Sequence, residues 1–259
     1  MPDRGEFDTG EFYTGYLPQM PPRTAQFLRR VVLLVLLFAL GVALVLTSLQ
    51  GPYSVGFFEF GVVRDFTGVV RSTPYPVLEV KPPGQAGQGE PFYLVSQGKH
   101  GAKAEVGEFE GQTVQLQGSL LYRDGQTMIE IVPGSVELSA AGAAAPQPGR
   151  QALGRHTLAG EIVDSKCYFG LMKPGDGKPH RGCASLCIRG GIPPVFVVRD
   201  ERGPATHLLL VDAEGRAVNQ KVLDVVAEPL EITGDVVRVG DLWLLQADPE
   251  TYRRLDASS

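Results

Sequence analysis

Thr113-Val-Gln-Leu-Gln-Gly118-Ser-Leu-Leu121, Tyr122-Arg-Asp-Gly-Gln126, Thr127-Met-Ile-Glu-Ile-Val132 is the stretch that decides the fold. Two runs of alternating, β-prone residues flank a short turn, and Asp124-Gly125 is a hairpin signal because both types tolerate a positive φ. Toward the N-terminus, residues 67–71, 77–80 and 92–95 read as three more short strands. Residues 57–139 thus hold five strands, with the longest connection between the third and the fourth. After them comes a linker over 140–156, whose first part, 140–150, is rich in Ala, Gly, Pro and Gln and has no periodicity.

The plan then returns over residues 157–248. Strands are expected at 158–163, 195–199 and 207–211, a short amphipathic helix at 219–227, and a closing hairpin of 230–239 with 242–246. The halves match locally. Thr67-Gly68-Val-Val resembles Ala159-Gly160-Glu-Ile, and Val114-Gln-Leu-Gln-Gly118 resembles Leu230-Glu-Ile-Thr-Gly234. Each glycine stands where a coiled strand needs a bend or close backbone approach. Both segments resemble OB-fold domains, whose plan is five short strands with an excursion between the third and fourth. The expected fold is therefore mainly β, an N-terminal transmembrane helix followed by two tandem OB-fold-like barrels.

Residues 31–49 form nineteen positions without a charge, long enough to cross a bilayer as a helix. Arg23, Arg29 and Arg30 precede them, and the next basic residue is Arg64. Retention of positive charge inside predicts a cytoplasmic leader over 1–30, a single-pass anchor over 31–50, and an exported remainder. The expected location is the bacterial inner membrane with the main domains in the periplasm. A cleaved signal peptide is the rival reading; the long leader and the lack of an A-x-A-like site favour an uncleaved anchor. Arg29-Arg30 invites a twin-arginine reading, which the following Val-Val-Leu matches poorly. The leader carries a Gly5-Glu-Phe and Gly10-Glu-Phe repeat, too short and glycine-rich to fold alone.

All three cysteines gather near one of the four histidines: Cys167, His180, Cys183 and Cys187. His180, Cys183 and Cys187 stand at i, i+3 and i+7, so a short helix places them on one face. Pro179 suits its start, Gly190-Gly191 its stop, and Pro193-Pro194 an extended return to the sheet. Cys167, at a strand end, offers a fourth donor. Three thiolates and an imidazole suit zinc or copper without choosing between them. Two alternatives stay open: a disulfide from Cys167 to Cys183 or Cys187, fitting an oxidising compartment, or a redox-active thiol pair. Asp164 and Lys166 flank Cys167 as candidate supporting partners, whereas His100, His156 and His207 read as solvated or structural.

Three resemblances bear on function. The anchored, exported arrangement is similar to the haem chaperone of cytochrome c maturation, which carries haem on the histidine of an H-x-x-x-Y element. This chain ends Tyr252-Arg-Arg-Leu-Asp-Ala-Ser-Ser259 without that histidine, so haem does not carry over. Cys183-x3-Cys187 resembles the paired cysteines of binuclear copper electron-transfer sites and of copper chaperones for oxidase assembly, which work with a downstream histidine; here the next is His207. The whole block looks like that of uncharacterised anchored bacterial proteins, a likeness that supplies no activity. A net charge of −5 offers no footprint for nucleic acid, and no nucleophile elbow, phosphate loop or H-E-x-x-H motif is present. The reading is a membrane-anchored metal-binding accessory or electron-transfer subunit with a protein partner. The alternative is an assembly protein whose cysteines staple a loop and whose barrels bind other proteins.

Overall fold

A computed structural model of the chain describes residues 20–49, 54–80, 89–139, 147–199 and 204–255. The Gly5 and Gly10 repeats and the linker residues 140–146 lie outside that set. The chain divides into two units, Met1–Tyr53 and Ser54–Ser259.

In the first unit, α1 (Pro22–Leu49) is a 28-residue helix, about 42 Å long at the usual rise. It starts nine residues before the apolar run, because Pro22 fits a first helical turn and the residues after it are mostly good helix formers. Its most apolar window reaches a mean hydropathy of 2.9 and buries nothing within the chain, so it is long and apolar enough to cross a membrane.

The second unit begins with β1 (Phe57–Phe58) and continues into β2 (Arg64–Arg71), β3 (Val77–Val80), β4 (Glu90–Val95), the single-turn α2 (Lys103–Val106), β5 (Thr113–Arg123), β6 (Gln126–Ile131) and β7 (Glu137–Leu138). Strands β2 to β6 close into a barrel. Antiparallel pairs join β2 to β3, β3 to β4, β5 to β6 and β5 to β2, and a parallel pair joins β4 to β6. The second barrel uses β8 (Arg150–Asp164), β9 (Pro194–Val198), β10 (Thr206–Val211), β11 (Pro229–Val239) and β12 (Leu242–Gln246). Its pairings repeat the first in the same order, including the parallel β10–β12 pair. A short β13 (Arg253–Arg254) edges β11. The expected plan of a long apolar helix and two five-stranded barrels is the plan observed.

Two local expectations need correction. Strand β8 begins at Arg150, inside the stretch read as linker, because residues 150–157 pair along the far half of β11. Gly154, with φ +97°, sits at a register shift in this pair, and the break in alternation hid the strand. Residues 219–227 form successive turns, not a helix. Val218, Val222 and Val226 are buried at the expected spacing. Asn219, however, donates its side-chain amide to the Ile188 and Ile192 carbonyls, and Ala227 N–H goes to Ile162 O. These tertiary bonds win over the weak helix propensity of a valine-rich segment.

The matched glycines do the same job in each barrel. A Cβ on Gly68 would lie 2.5 Å from Glu79 O, and one on Gly160 would lie 2.4 Å from Val197 O. On the fourth strands, Gly118 would meet Glu130 O at 2.7 Å and Gly234 would meet Gln246 O at 2.5 Å. Each first and fourth strand therefore crosses its neighbour more closely than a side chain permits.

The barrels share a core. Tyr75, Val77, Tyr93, Leu121 and Met128 of the first form one buried cluster with Val163, Phe169, Val195, Leu209 and Val211 of the second. Tyr75 donates its hydroxyl to Leu210 O and accepts Val218 N–H. In return, the fully buried Lys166 donates to Ser96 O at 2.8 Å and Gly98 O at 2.7 Å and pairs with Glu130. His207, read as structural or surface, is buried in this interface against Tyr168 and Phe169, with its Nε2 4.0 Å from Asp124 Oδ2.

Gly160→Ala is expected to cost about 1–3 kcal/mol in denaturant unfolding, since the backbone it would strike cannot rotate away. Gly182→Ala, on a helix with open space around it, is the control and should be neutral or stabilising. Burial pushes the His207 imidazole down to about 4, with Arg123 and Arg199 acting in the same sense and Asp124 opposing. The folded state thus holds it neutral. That contribution is complete above its ordinary value of 6.5 and is lost as pH falls from there toward 4. The loss amounts to about 3 kcal/mol. Unfolding free energies at pH 7 and pH 4.5 should therefore differ more in the wild type than in His207→Phe; equal slopes would place His207 in water.

Candidate metal centre

The centre is built from the excursion between β8 and β9. Strand β8 ends at Asp164, and Cys167–Leu171 winds into one wide turn of π type. After the loop through residue 177, Lys178–His180 makes a tight turn with Pro179 inside it, which opens directly into α3 (Arg181–Arg189). Helix α3 stops at Gly190, and Gly191 takes φ +98°. The expected short helix is present, and His180 stands at its N-cap.

Asp164 is completely buried and organises the cluster. Its Oδ1 accepts Cys167 N–H at 2.9 Å, and its Oδ2 lies 2.9 Å from His180 Nε2. An ionised carboxylate only accepts, so His180 Nε2 is the donor in this bond. The Cys167 and Cys183 sulfurs are 4.0 Å apart. Donor atoms of Cys167, His180 and Cys183 all lie within 4.8 Å of one another, as do those of Asp164, Cys167 and Cys187. Cys167 is common to both groups; among the described residues no such group holds Cys187 together with His180 or Cys183. Ligands of a tetrahedral site with thiolate and imidazole donors stand roughly 3.3–3.8 Å apart, and the Cys167–Cys183 pair at 4.0 Å is near that spacing.

Cys167 and Cys187 are buried and Cys183 is half-exposed. The hydrogen bond between Cys167 and Cys187 divides them: with burial it pushes the Cys167 thiol up, and it pulls Cys187 down. The negative charge of Asp164 opposes ionisation at both. Lys99 acts in the other direction. Its ammonium donates to Cys183 Sγ at 2.8 Å and lies 3.8 Å from Cys187 Sγ, and the bond to Cys183 raises the Lys99 pKa.

Lys99 belongs to the first barrel, 84 residues from Cys183 in sequence, and no local pattern linked the two. Of the two flanking candidates, Asp164 supports the centre as expected. Lys166 does not; it points into the first barrel. His207 joins no donor group among the described residues. All three cysteines are free thiols, and the 4.0 Å pair is well beyond the roughly 2.05 Å of a disulfide. Compared with family models, curated proteins and solved structures, the chain matches none.

Metal-free chain treated with limiting maleimide is expected to label first at Cys183 and last at Cys167, with all three reacting after denaturation. Equal labelling of Cys167 and Cys183 in the folded chain would contradict this burial order.

Proposed function

We propose that the chain is a membrane-anchored, exported protein with two OB-fold barrels, in which Cys167, His180, Cys183 and Cys187 bind one zinc or copper ion. The observation that carries this reading is that Cys167 lies in two groups of close donors, one with His180 and Cys183 and one with Asp164 and Cys187, while the fully buried Asp164 orients His180 through Nε2. A carboxylate behind a ligating histidine is the usual second layer of a metal site. Zinc would make the centre a closed structural shell, and copper would make it an electron-transfer site. The whole acts as an accessory or electron-transfer subunit of a larger oxidoreductase assembly in the periplasm, with α1 as its anchor and a protein partner supplying the reaction.

The test is metal analysis and thiol counting on one sample of the purified full chain. One metal ion per chain and no disulfide is the expected result. His180→Ala should lower metal affinity strongly, and Asp164→Asn should lower it by about 10–100-fold through the lost orientation. Cys167→Ser should release metal without freeing a thiol elsewhere. A metal-free wild type with one disulfide and one free thiol would replace this reading with the stapled-loop alternative.

A further inference from the structure

The turn after β1 displays apolar side chains that neither barrel uses. Phe60 is 85% exposed, and Val55, Phe57, Val62 and Val63 are exposed as well. This is built structure, not a frayed end. Glu59 N–H bonds Leu120 O, Val62 N–H bonds Glu59 O at 3.1 Å, and Ser119 donates to Val62 O at 2.8 Å. Gly61, with φ +79°, makes the turn and leaves Phe60 at its tip, its ring against Phe58 at 5.6 Å. The surface continues sideways. Phe57 packs on the half-exposed Tyr122 at 5.4 Å, and the Phe57 backbone runs so close to Gly170 that a Cβ there would lie 2.4 Å from Phe57 O. Leu171 and Met172, next along the metal-site excursion, are exposed too.

Across the segment 54–64 the charges cancel. Glu59 is the one charged residue from 54 to 63, and Arg64 neutralises it at 2.7 Å. A rigid aromatic tip on a neutral apolar surface is what enters the boundary between lipid headgroups and acyl chains.

Chain length decides between lipid and another occupant. Only residues 50–53 separate Leu49, the last residue of α1, from Ser54, and a link of that length spans roughly 17 Å at most. If α1 spans the bilayer, a link of that length keeps the segment bearing Phe57 and Phe60 close enough to the end of the anchor to reach the headgroup region. We propose that this surface, with Phe60 at its tip, inserts into the outer leaflet of the bilayer that α1 crosses. This inference rests on the anchor reading and on nothing about the metal.

The experiment uses the full chain carrying Phe60→Trp and Trp243→Phe, reconstituted into phosphatidylethanolamine–phosphatidylglycerol vesicles with and without brominated acyl chains. The wild type, whose single Trp243 sits on the second barrel, serves as the reference. Co-flotation after an alkaline wash reads the anchor, and fluorescence quenching reads the tip. Expected are co-flotation, loss of about half or more of the emission of the introduced indole in brominated vesicles, its protection from aqueous iodide, and little effect of bromine on Trp243 in the wild type. A chain that floats but whose introduced indole is quenched by iodide and not by bromine overturns the inference and leaves the anchor standing, pointing to a protein occupant. A chain that does not float removes the anchor and the inference together.

Discussion

A carboxylate with no access to water must find its donors within the protein, and Asp164 finds two: the Cys167 amide and the His180 ring. Those bonds tie the end of β8, the turn carrying the first cysteine and the start of α3 to one point. They also fix the direction of the His180 ring, with Nε2 held on the carboxylate. The carboxylate has an electrostatic consequence as well. It disfavours thiolates at Cys167 and Cys187, and only Lys99 supplies positive charge at the sulfurs among the described residues. A cation at the proposed metal site would offset that negative charge.

The second organising fact is duplication. In each barrel the third strand ends in a turn closed by a single bridge, Val95 to Gly101 in one and Val211 to Ala217 in the other. In each barrel the connection between the first and second strands reaches the corresponding turn of its neighbour. Tyr75 enters at Leu210 and Val218, and Lys166 enters at Ser96 and Gly98. The cysteine excursion is the enlarged form of a connection that already touched the other barrel, which is why Lys99 of the first barrel stands over cysteines of the second. The backbones meet closely here: Gly101 N–H bonds Gly190 O, and a Cβ on Gly190 would lie 1.8 Å from Lys99 O.

Much of this was legible locally. Alternation located every barrel strand to within a few residues except the start of β8, where Gly154 breaks the pattern. The paired glycines were recognisable as close-approach positions, and the expected short helix is there as α3, with Cys183 and Cys187 on it and His180 at its N-cap. Contacts made across the barrels were not legible. Thr206-His-Leu-Leu-Leu reads as a strand whether His207 faces solvent or the neighbouring barrel, and only the fold decides it. Lys166 beside Cys167 looked like a partner of the centre, yet the chain turns helical after Asp164 and the Lys166 side chain runs to the Ser96 and Gly98 carbonyls of the first barrel. The valines at 218, 222 and 226 kept helical spacing while the backbone took turns, because burial fixes which residues face inward and hydrogen bonds to distant carbonyls fix the path between them.

The same contacts bear on what the cysteines are for. The excursion is held without them. Arg123 lies 3.9 Å over the Tyr168 ring and donates to Tyr168 O, Arg181 pairs with Glu228, and Asn219 ties down the end of α3 through two carbonyls. Phe169 fills the shared core. A disulfide gains stability by restraining an otherwise loose connection in the unfolded chain and must not strain the folded one; here Cys167 and Cys183 would have to close a 4.0 Å gap within a turn already fixed by Asp164. Packing alone would be served as well by alanine or valine, without placing thiols beside a buried carboxylate. Three sulfurs and an imidazole held near one buried carboxylate are a donor set that could hold a metal ion, and the rigidity supplied by the rest of the interface suits the coordination shell proposed above.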